Sequence, residues 1–146
     1  MKPEEAFVGL DLKSKDVPVF LNGVGGLGSP FWQPDFLSRF EDPPTESETT
    51  PTQKMQAVLE SVLFLIQANL DELRAASGEP GEIVLTGGLP REPAFAQGLA
   101  DLSGVEVAHP ERAEATARGV AFLLSAELGR WPEERSRATP PRKNHQ

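Results

Sequence analysis

The chain contains no cysteine, which excludes disulfides and thiolate metal sites and fits a reducing compartment such as the cytoplasm. Basic side chains are also scarce: 14 lysine and arginine residues stand against 22 acidic residues, and the net charge of −8 argues against a nucleic-acid partner. The longest apolar run, Val62–Ile66, is too short to span a bilayer, and residues 1–5 lack the apolar core of a signal peptide. These features predict a soluble, cytoplasmic protein with neither a nucleic-acid nor a membrane partner.

Histidine is nearly absent as well. His109 is followed by Pro110, and His145 lies near the C-terminus, so the two histidines of the chain cannot form a local metal site or a catalytic triad. We therefore predict no metal site and no catalytic residue in this chain.

Hydrophobic residues make up only 38% of the 146 residues, and the 14 prolines concentrate in a few segments. Residues 41–51 are acidic, polar and rich in proline, which favours a mobile surface loop. From Trp131 onward the chain is charged and has no hydrophobic periodicity. We predict one domain over residues 1–131, with a flexible acidic loop at 41–51, and a disordered charged tail over residues 132–146.

The chain opens with two short apolar runs, residues 6–10 and 17–21. They are either the two arms of a hairpin or two unrelated strands. Pro18 lacks a backbone N–H for a strand ladder, which favours an edge position for the second run.

A glycine-rich segment follows. Gly23, Gly25 and Gly28 satisfy the G-x-G-x-x-G spacing of dinucleotide-binding proteins, but prolines and aromatic residues follow where that motif needs a helix. We therefore interpret the segment as a glycine-rich loop anchored by two buried aromatic residues, Phe31 and Trp32.

A long helix is predicted next. Thr50 suits the N-cap, Pro51 suits the first helical position, and Gln53 has the spacing of a capping-box partner. The helix is expected to run to about Ala76, with Gly78 as its stop.

The apolar residues of this helix recur at three- and four-residue steps, and Phe64 and Leu65 widen the stripe until little of the middle is polar. Such a helix is expected to pack on more than one side. Glu60 and Gln67 are the polar residues near the middle, and each is either a surface residue or faces a cleft.

The C-terminal half reads as strand, helix, strand, helix. We predict a strand over Ile83–Thr86, a helix from about Pro93 that ends at Gly104, a strand over residues 105–108 and a helix over residues 112–128. A helix of crossover length between two strands predicts a parallel pair.

Gly87 and Gly88 directly follow the first of these strands. A glycine pair lets the backbone turn sharply and lets a ligand lie directly on the main chain. Because ligands of open α/β sheets bind beyond the carboxyl ends of the strands, we expect a small-molecule site at these two glycines.

Three segments of the chain, in order, resemble the C-terminal domain of the FGGY carbohydrate kinases. Residues 26–32 (G-L-G-S-P-F-W) resemble the family's G-L-[GA]-[AS]-P-[YF]-W loop, and residues 58–61 (V-L-E-S) resemble its helical L-E-[SG] segment. Residues 86–101, from T-G-G to A-D, and residues 114–121 (E-A-T-A-R-G-V-A) resemble its G-G…A-D and E-[AV]-T-A-x-G-A-A segments.

The resemblance implies an α/β fold of the actin-like, RNase-H-type ATPase class, here the C-terminal half of a two-domain kinase that closes on ATP and a sugar. It implies ATP with Mg²⁺ as the cofactor and places Gly87 and Gly88 at the nucleotide. Glu92 falls where glycerol kinases often have asparagine. A carboxylate ~5 Å from a phosphate charge, at an effective dielectric constant of ~20, repels it by a few kcal/mol. Either Arg91 offsets that repulsion or Glu92 points outward and caps the following helix.

The family's catalytic aspartate and phosphate-binding turn belong to segments that residues 1–22 do not match. We therefore expect the nucleotide-side domain of an ATP-dependent polyol or ketose kinase that is inactive without the N-terminal kinase domain as its partner. The alternative is a non-catalytic remnant that binds a nucleotide or a protein. A third possibility is a folding unit that self-associates through the apolar face meant for its partner domain.

Overall fold

The computed structural model describes residues 17–41, 49–87, 93–110, 115–124 and 136–142. The chain forms two compact units, Met1–Glu79 and Pro80–Gln146, and each is described by itself. Within the described ranges, no helix combines the length and the apolar character needed to cross a membrane.

The first unit begins with a short antiparallel strand pair. Strand β1 (Val19–Leu21) pairs with β2 (Arg39–Glu41), and the register places Phe20 opposite Phe40 with ring centroids 4.7 Å apart. Pro18 directly precedes β1. Residues 6–10 lie outside the described residues, so the choice between a hairpin and two unrelated strands stays a prediction.

Helix α1 (Pro51–Ser77) has the ends that the sequence predicts. The backbone N–H of Gln53 donates to the Thr50 hydroxyl at 3.3 Å, and the N–H of Thr50 donates to the Gln53 side-chain oxygen at 2.8 Å, which confirms the capping box. At the other end the N–H of Gly78 donates to the Arg74 carbonyl at 2.9 Å. The helix therefore ends one residue beyond the predicted Ala76, with Gly78 as the C-cap.

Arg74 adds two side-chain contacts at this end of α1. Its guanidinium donates to Glu79 at 2.8 Å and to Asp71 at 3.2 Å. The hydrogen bond to Glu79 is the main cause that raises the pKa of Arg74 above its ordinary value. The guanidinium therefore stays charged at any physiological pH.

The side chains that α1 buries are Gln56, Ala57, Leu59, Ser61, Leu63 and Leu70. Helix α1 packs against β1, but Phe64 and Leu73 are more than half exposed. The prediction that α1 packs on more than one side is therefore wrong at these two residues. The apolar stripe of α1 is wider than the part of the helix that the rest of the unit covers.

The two polar residues near the middle of α1 are both partly buried. Glu60 accepts a hydrogen bond from the buried Gln56 amide at 2.8 Å. The Gln67 amide nitrogen donates to Asp71 at 2.8 Å, while the buried Gln67 side-chain oxygen finds no partner among the described residues.

A loop of residues 22–38 joins β1 to β2 and is held by its own backbone. Leu27 and Gln33 exchange two N–H···O bonds of 2.8 Å, and the N–H groups of Phe31 and Trp32 both donate to the Gly28 carbonyl. Half of Phe31 and 74% of Trp32 are exposed, so the predicted burial of these two aromatic residues is wrong. Backbone hydrogen bonds, and not two fully buried rings, shape the tip of this loop.

The second unit is built on a parallel pair, as predicted. Strand β3 (Ile83–Val84) lies parallel to β4 (Val107–Pro110), with Ile83 beside Val107. Helix α2 (Pro93–Ser103) connects them and buries Phe95, Ala96, Leu99 and Ala100.

Gly104 follows α2 with a φ of +71° and donates its N–H to the Ala100 carbonyl at 2.9 Å, which confirms it as the helix stop. Helix α3 (Ala115–Leu124) falls within the predicted residues 112–128. The other residues of that predicted range lie outside the described residues.

A third strand corrects the prediction for the C-terminal tail. Strand β5 (Ser136–Thr139) pairs antiparallel with β4, so the sheet order is β3-β4-β5. Over residues 136–142 the prediction of disorder is therefore wrong. The physical reason is that β4 has a second edge whose backbone groups need partners, and the tail supplies them.

Two side chains of α2 hold the end of this tail. Asp101 accepts the backbone N–H of Arg142 at 2.7 Å and pairs with its guanidinium at 3.1 Å. The Gln97 amide donates to the Pro140 carbonyl at 3.1 Å. Asp101 thus anchors the C-terminal segment.

Candidate functional site

Strand β3 ends at Val84, two residues short of the predicted Thr86, and Gly87 follows it after Leu85 and Thr86. The backbone N–H of Leu85 donates to the Ala108 carbonyl at 2.8 Å. The chain therefore stays hydrogen-bonded to β4 until two residues before Gly87. Gly87 has a φ of +101°, a conformation that side chains with a Cβ rarely adopt. A Cβ placed there would meet no atom of the described residues within 4 Å. The backbone conformation of Gly87 therefore favours glycine, and no described residue stands where a side chain would lie.

The strand that leads to Gly87 lies beside a packed core. Val107 and Leu99 are fully buried, so β4 and α2 form the packed core on which β3 rests. Because β3 and β4 are parallel, their carboxyl ends lie at the same edge of the sheet, where ligands of α/β folds bind. His109 lies near this end of β4 and is partly buried.

Only part of the predicted site is described. Gly87 belongs to the described residues, whereas Gly88 and Glu92 lie outside them. Where Glu92 points therefore stays a prediction. In the described part of the chain, no cluster of three or more histidine, aspartate or glutamate side chains is arranged to hold a metal ion.

The first unit contains a second feature that the sequence reasoning missed, a cavity of about 240 Å³ between β1, the 22–38 loop and α1. Two of its polar groups bond to nearby backbone: the Ser61 hydroxyl donates to the Val58 carbonyl, and the Asn22 side-chain oxygen accepts from the Val24 N–H. The remaining walls are apolar. The residues that line it are Val19, Phe20, Leu21, Asn22, Leu27, Phe31, Phe36, Ser61, Phe64, Leu65 and Ala68.

The signal for this cavity was present in α1, where Phe64 and Leu65 widen the apolar stripe. What could not be read from the sequence is which apolar residues of the 22–38 loop would face the helix.

The resembling segments play distinct structural roles. Residues 26–32 form the tip of the 22–38 loop, and Ser29 in this segment bonds to Asn69 of α1. The Ser29 hydroxyl donates to the Asn69 side-chain oxygen at 2.6 Å, and the Ser29 carbonyl accepts from the Asn69 side-chain amide at 3.0 Å. Residues 58–61 lie within α1. Ala100 and Asp101 lie in α2, where one is buried in the core and the other anchors the tail.

Comparison with known proteins identifies the family. Residues 9–128 match the model of the FGGY family of carbohydrate kinases, C-terminal domain. The glycerol kinase of Pseudarthrobacter chlorophenolicus is 30% identical over 138 residues, which cover 90% of this chain and 26% of that protein. The glycerol kinase of Shewanella amazonensis is 34% identical over 116 residues, which cover 79% of this chain and 22% of that protein.

Solved structures agree with the sequence matches. A xylulose kinase from Brucella ovis superposes with a TM-score of 0.75 at 27% identity, covering 96% of this chain and 31% of that one. Plasmodium falciparum glycerol kinase, solved with ADP, superposes with a TM-score of 0.69 at 22% identity, covering 90% of this chain and 26% of that one. The chain thus spans about a quarter of the length of the curated relatives it matches. It belongs to the FGGY family of carbohydrate kinases, corresponds to their C-terminal domain, and has the fold of their actin-like ATPase module.

Proposed function

We propose that this chain is the nucleotide-side domain of an ATP-dependent carbohydrate kinase, with Gly87 and Gly88 against the adenosine and α-phosphate of ATP. The observation that carries the proposal is the turn after β3. Gly87 combines a positive φ, open space where a side chain would stand and a position at the carboxyl end of a parallel strand. This is the geometry that lets a ligand lie on the main chain.

In this proposal the residues of this chain hold the nucleotide in position. The open main chain at Gly87 allows the nucleotide to approach without a side chain in the way, and the α2–β4 core holds the turn in place. Bound ATP supplies the phosphoryl group that is transferred to a hydroxyl of the acceptor. Phosphoryl transfer needs cations and a base around the γ-phosphate, and in this proposal they come from the family's N-terminal domain together with Mg²⁺.

The acceptor class follows from the relatives, which are glycerol kinases and a xylulose kinase. We expect a polyol or a ketose. Residues 1–146 alone are expected to bind nucleotide without phosphorylating either.

Calorimetric titration with ADP, and with ATP and MgCl₂, tests the nucleotide site. Gly87→Ala places a Cβ at the site of contact and strains the turn by about 1–3 kcal/mol, so we expect affinity to fall at least about tenfold. Gly81→Ala is the matched control, because a Cβ there also meets no atom within 4 Å and its φ is not in the left-handed region. Thermal unfolding of both variants checks that each still folds.

Two results would overturn the proposal. Equal nucleotide affinity in the parent and in Gly87→Ala would place the site elsewhere. If the parent chain binds no nucleotide, the alternative function is favoured, which is a non-catalytic module that binds a protein. The carboxylate of Glu92, where glycerol kinases often have asparagine, also points to this alternative.

The catalytic part of the proposal has its own assay. The chain is mixed with the N-terminal domain of the Pseudarthrobacter chlorophenolicus glycerol kinase, and ADP production is followed over a panel of polyols and ketoses. We expect no turnover by the chain alone and acceptor-dependent turnover by the mixture. Acceptor-independent ADP release would show an ATPase and not a kinase.

A further inference from the structure

Strand β2 is an edge strand of the first unit. In the described part of the chain it pairs with β1 on one side only, since the sheet of this unit has the order β1-β2. Helix α1 packs against β1, and all three residues of β2 are exposed. An edge strand presents unpaired backbone N–H and C=O groups, which can pair with a strand of another chain.

The charged side chains of β2 stand on one face of the strand. Nε of Arg39 and Oε1 of Glu41 form an ion pair of 2.6 Å, and both side chains are more than half exposed. The Arg39 guanidinium also lies over the Phe36 ring, 5.8 Å from its centroid. A guanidinium carries five N–H donors and a carboxylate two acceptor oxygens. Each side chain therefore keeps groups with which it can bind a facing strand.

Phe40 lies on the opposite face of β2, because successive side chains of a strand alternate. Its ring centroid is 4.7 Å from that of Phe20, and Nζ of Lys54 lies 5.7 Å from its centroid. Phe40 is still 38% exposed. The aromatic pair of the hairpin is therefore open on the side of its outer strand.

We infer that β2 pairs antiparallel with β2 of a second copy of this chain, across a two-fold axis at Phe40. In this register Arg39 stands opposite Glu41 of the second copy, and Glu41 stands opposite Arg39 of the second copy. Phe40 faces Phe40 of the second copy and extends the Phe20–Phe40 pair into a row of four rings. Opposite charges and aromatic rings directly across from each other stabilise a strand pair.

The order of the charges selects both this partner and the direction of pairing. A parallel arrangement in register would place arginine against arginine and glutamate against glutamate, which is destabilising. A two-fold axis reverses the strand, so a second copy of the chain supplies the complementary order. Strand β5 is a contrast, because Arg137 is its one charged residue and a second β5 offers no opposite charge.

The short length of β2 limits the strength of this dimer. Three residues a side bury much less than the roughly 1,200–2,000 Å² of a standard interface. Leu37, two residues before β2 and 78% exposed, adds apolar surface close to the strand. We expect reversible dimerisation with a dissociation constant on the order of 100 µM, weaker at high salt because exposed ion pairs are screened.

Sedimentation equilibrium of the full 146-residue chain tests the inference, over concentrations from about 10 µM to about 1 mM. Glu41→Arg makes the strand basic at both charged positions, and Arg39→Glu makes it acidic at both. Each variant repels a copy of itself, so we expect at least about tenfold weaker dimerisation. Glu72→Arg is the matched control, because it makes the same change in net charge at an exposed residue of α1, and its dimerisation should equal that of the parent.

Two combinations make the test specific to the order of the charges. Mixed in equal amounts, Glu41→Arg and Arg39→Glu should form a heterodimer, because each strand then faces opposite charges at both positions. The double variant Arg39→Glu/Glu41→Arg reverses the order but stays self-complementary, so it should dimerise like the parent. Thermal unfolding followed by circular dichroism checks that every variant folds, which we expect because an exposed ion pair contributes little to stability.

Three outcomes would overturn the inference. They are a parent chain that stays monomeric over this concentration range, single variants that dimerise as tightly as the parent, and a mixture of the two single variants that associates no better than either alone. Nucleotide binding at Gly87 enters none of these measurements, so their result is independent of the proposed function.

Discussion

Asp101→Ala is expected to weaken the attachment of the C-terminal strand to the rest of the second unit. Asp101 accepts two hydrogen bonds, from the Gln97 amide at 2.8 Å and from the Arg142 backbone N–H at 2.7 Å, and its other oxygen pairs with the Arg142 guanidinium at 3.1 Å. Alanine removes all three contacts together. The Gln97 bond to the Pro140 carbonyl and the β4–β5 ladder would then hold the segment alone.

The size of the effect follows from these contacts and their exposure. Each hydrogen bond contributes about 0.5–1.5 kcal/mol net, and an exposed ion pair about 0.2–1 kcal/mol. The Asp101 side chain is one-third exposed, so water replaces part of what is lost. We expect a total loss of about 1–3 kcal/mol, or roughly 2–4 °C in melting temperature for each kcal/mol. Arg142→Ala keeps the backbone donor, so its loss should stay below about 1 kcal/mol.

Thermal unfolding followed by circular dichroism measures the loss, and hydrogen exchange shows where it occurs. The β5 amides that donate to β4 should lose protection in Asp101→Ala while the amides of α1 keep theirs. Glu106→Ala is the control, since Glu106 is an exposed carboxylate of the same unit. If Asp101→Ala matches Glu106→Ala in both melting temperature and exchange, the side chain does not anchor the tail and the reasoning is refuted.

Three further predictions concern single positions. Gly23→Ala forces a Cβ to 2.5 Å from the Phe36 carbonyl oxygen and should lower the free energy of unfolding in urea by about 1–3 kcal/mol. Gly28→Ala is the control, because its Cβ meets no atom of the described residues within 4 Å, and it should be neutral or stabilising. Equal losses in the two variants would contradict the close approach at Gly23. Thr50→Ala removes the N-cap of α1 and should lower the free energy of unfolding by about 1 kcal/mol, with Thr50→Ser restoring most of it. Glu92→Asn removes a carboxylate that at ~5 Å would repel a phosphate by a few kcal/mol, so calorimetry should show at least about tenfold tighter ADP binding. If the affinity for ADP is unchanged at low salt, Glu92 points away from the nucleotide.

Part of the candidate site could be predicted from the sequence. The aliphatic run and the glycine pair predicted a strand followed by a turn. The structure shows a strand over Ile83–Val84 and a positive φ at Gly87, whereas Gly88 lies outside the described residues. The sequence could not tell whether the space around Gly87 is open, because that depends on where other segments lie. The role of Glu92 remains a prediction for the same reason.

The features that the sequence determined alone are those with local causes. The capping box of α1, the stops at Gly78 and Gly104 and the crossover between β3 and β4 all arise from residues a few positions apart or from one helix of suitable length. Local propensity and hydrophobic period are encoded in the order of the residues, so tertiary contacts are not needed to read them.

The features that only the tertiary structure decided depend on contacts between distant residues. The bond of Ser29 to Asn69 spans 40 positions, and that of Arg142 to Asp101 spans 41. These contacts hold a loop that exposes Trp32 and turn a charged tail into a strand, where composition predicted a buried ring and disorder. The pairing of β4 with β5 cannot be read from the residues of either strand, because it depends on which segment the fold places beside β4. The exposure of part of α1 has the same origin, since it depends on how much of the helix the rest of the chain covers.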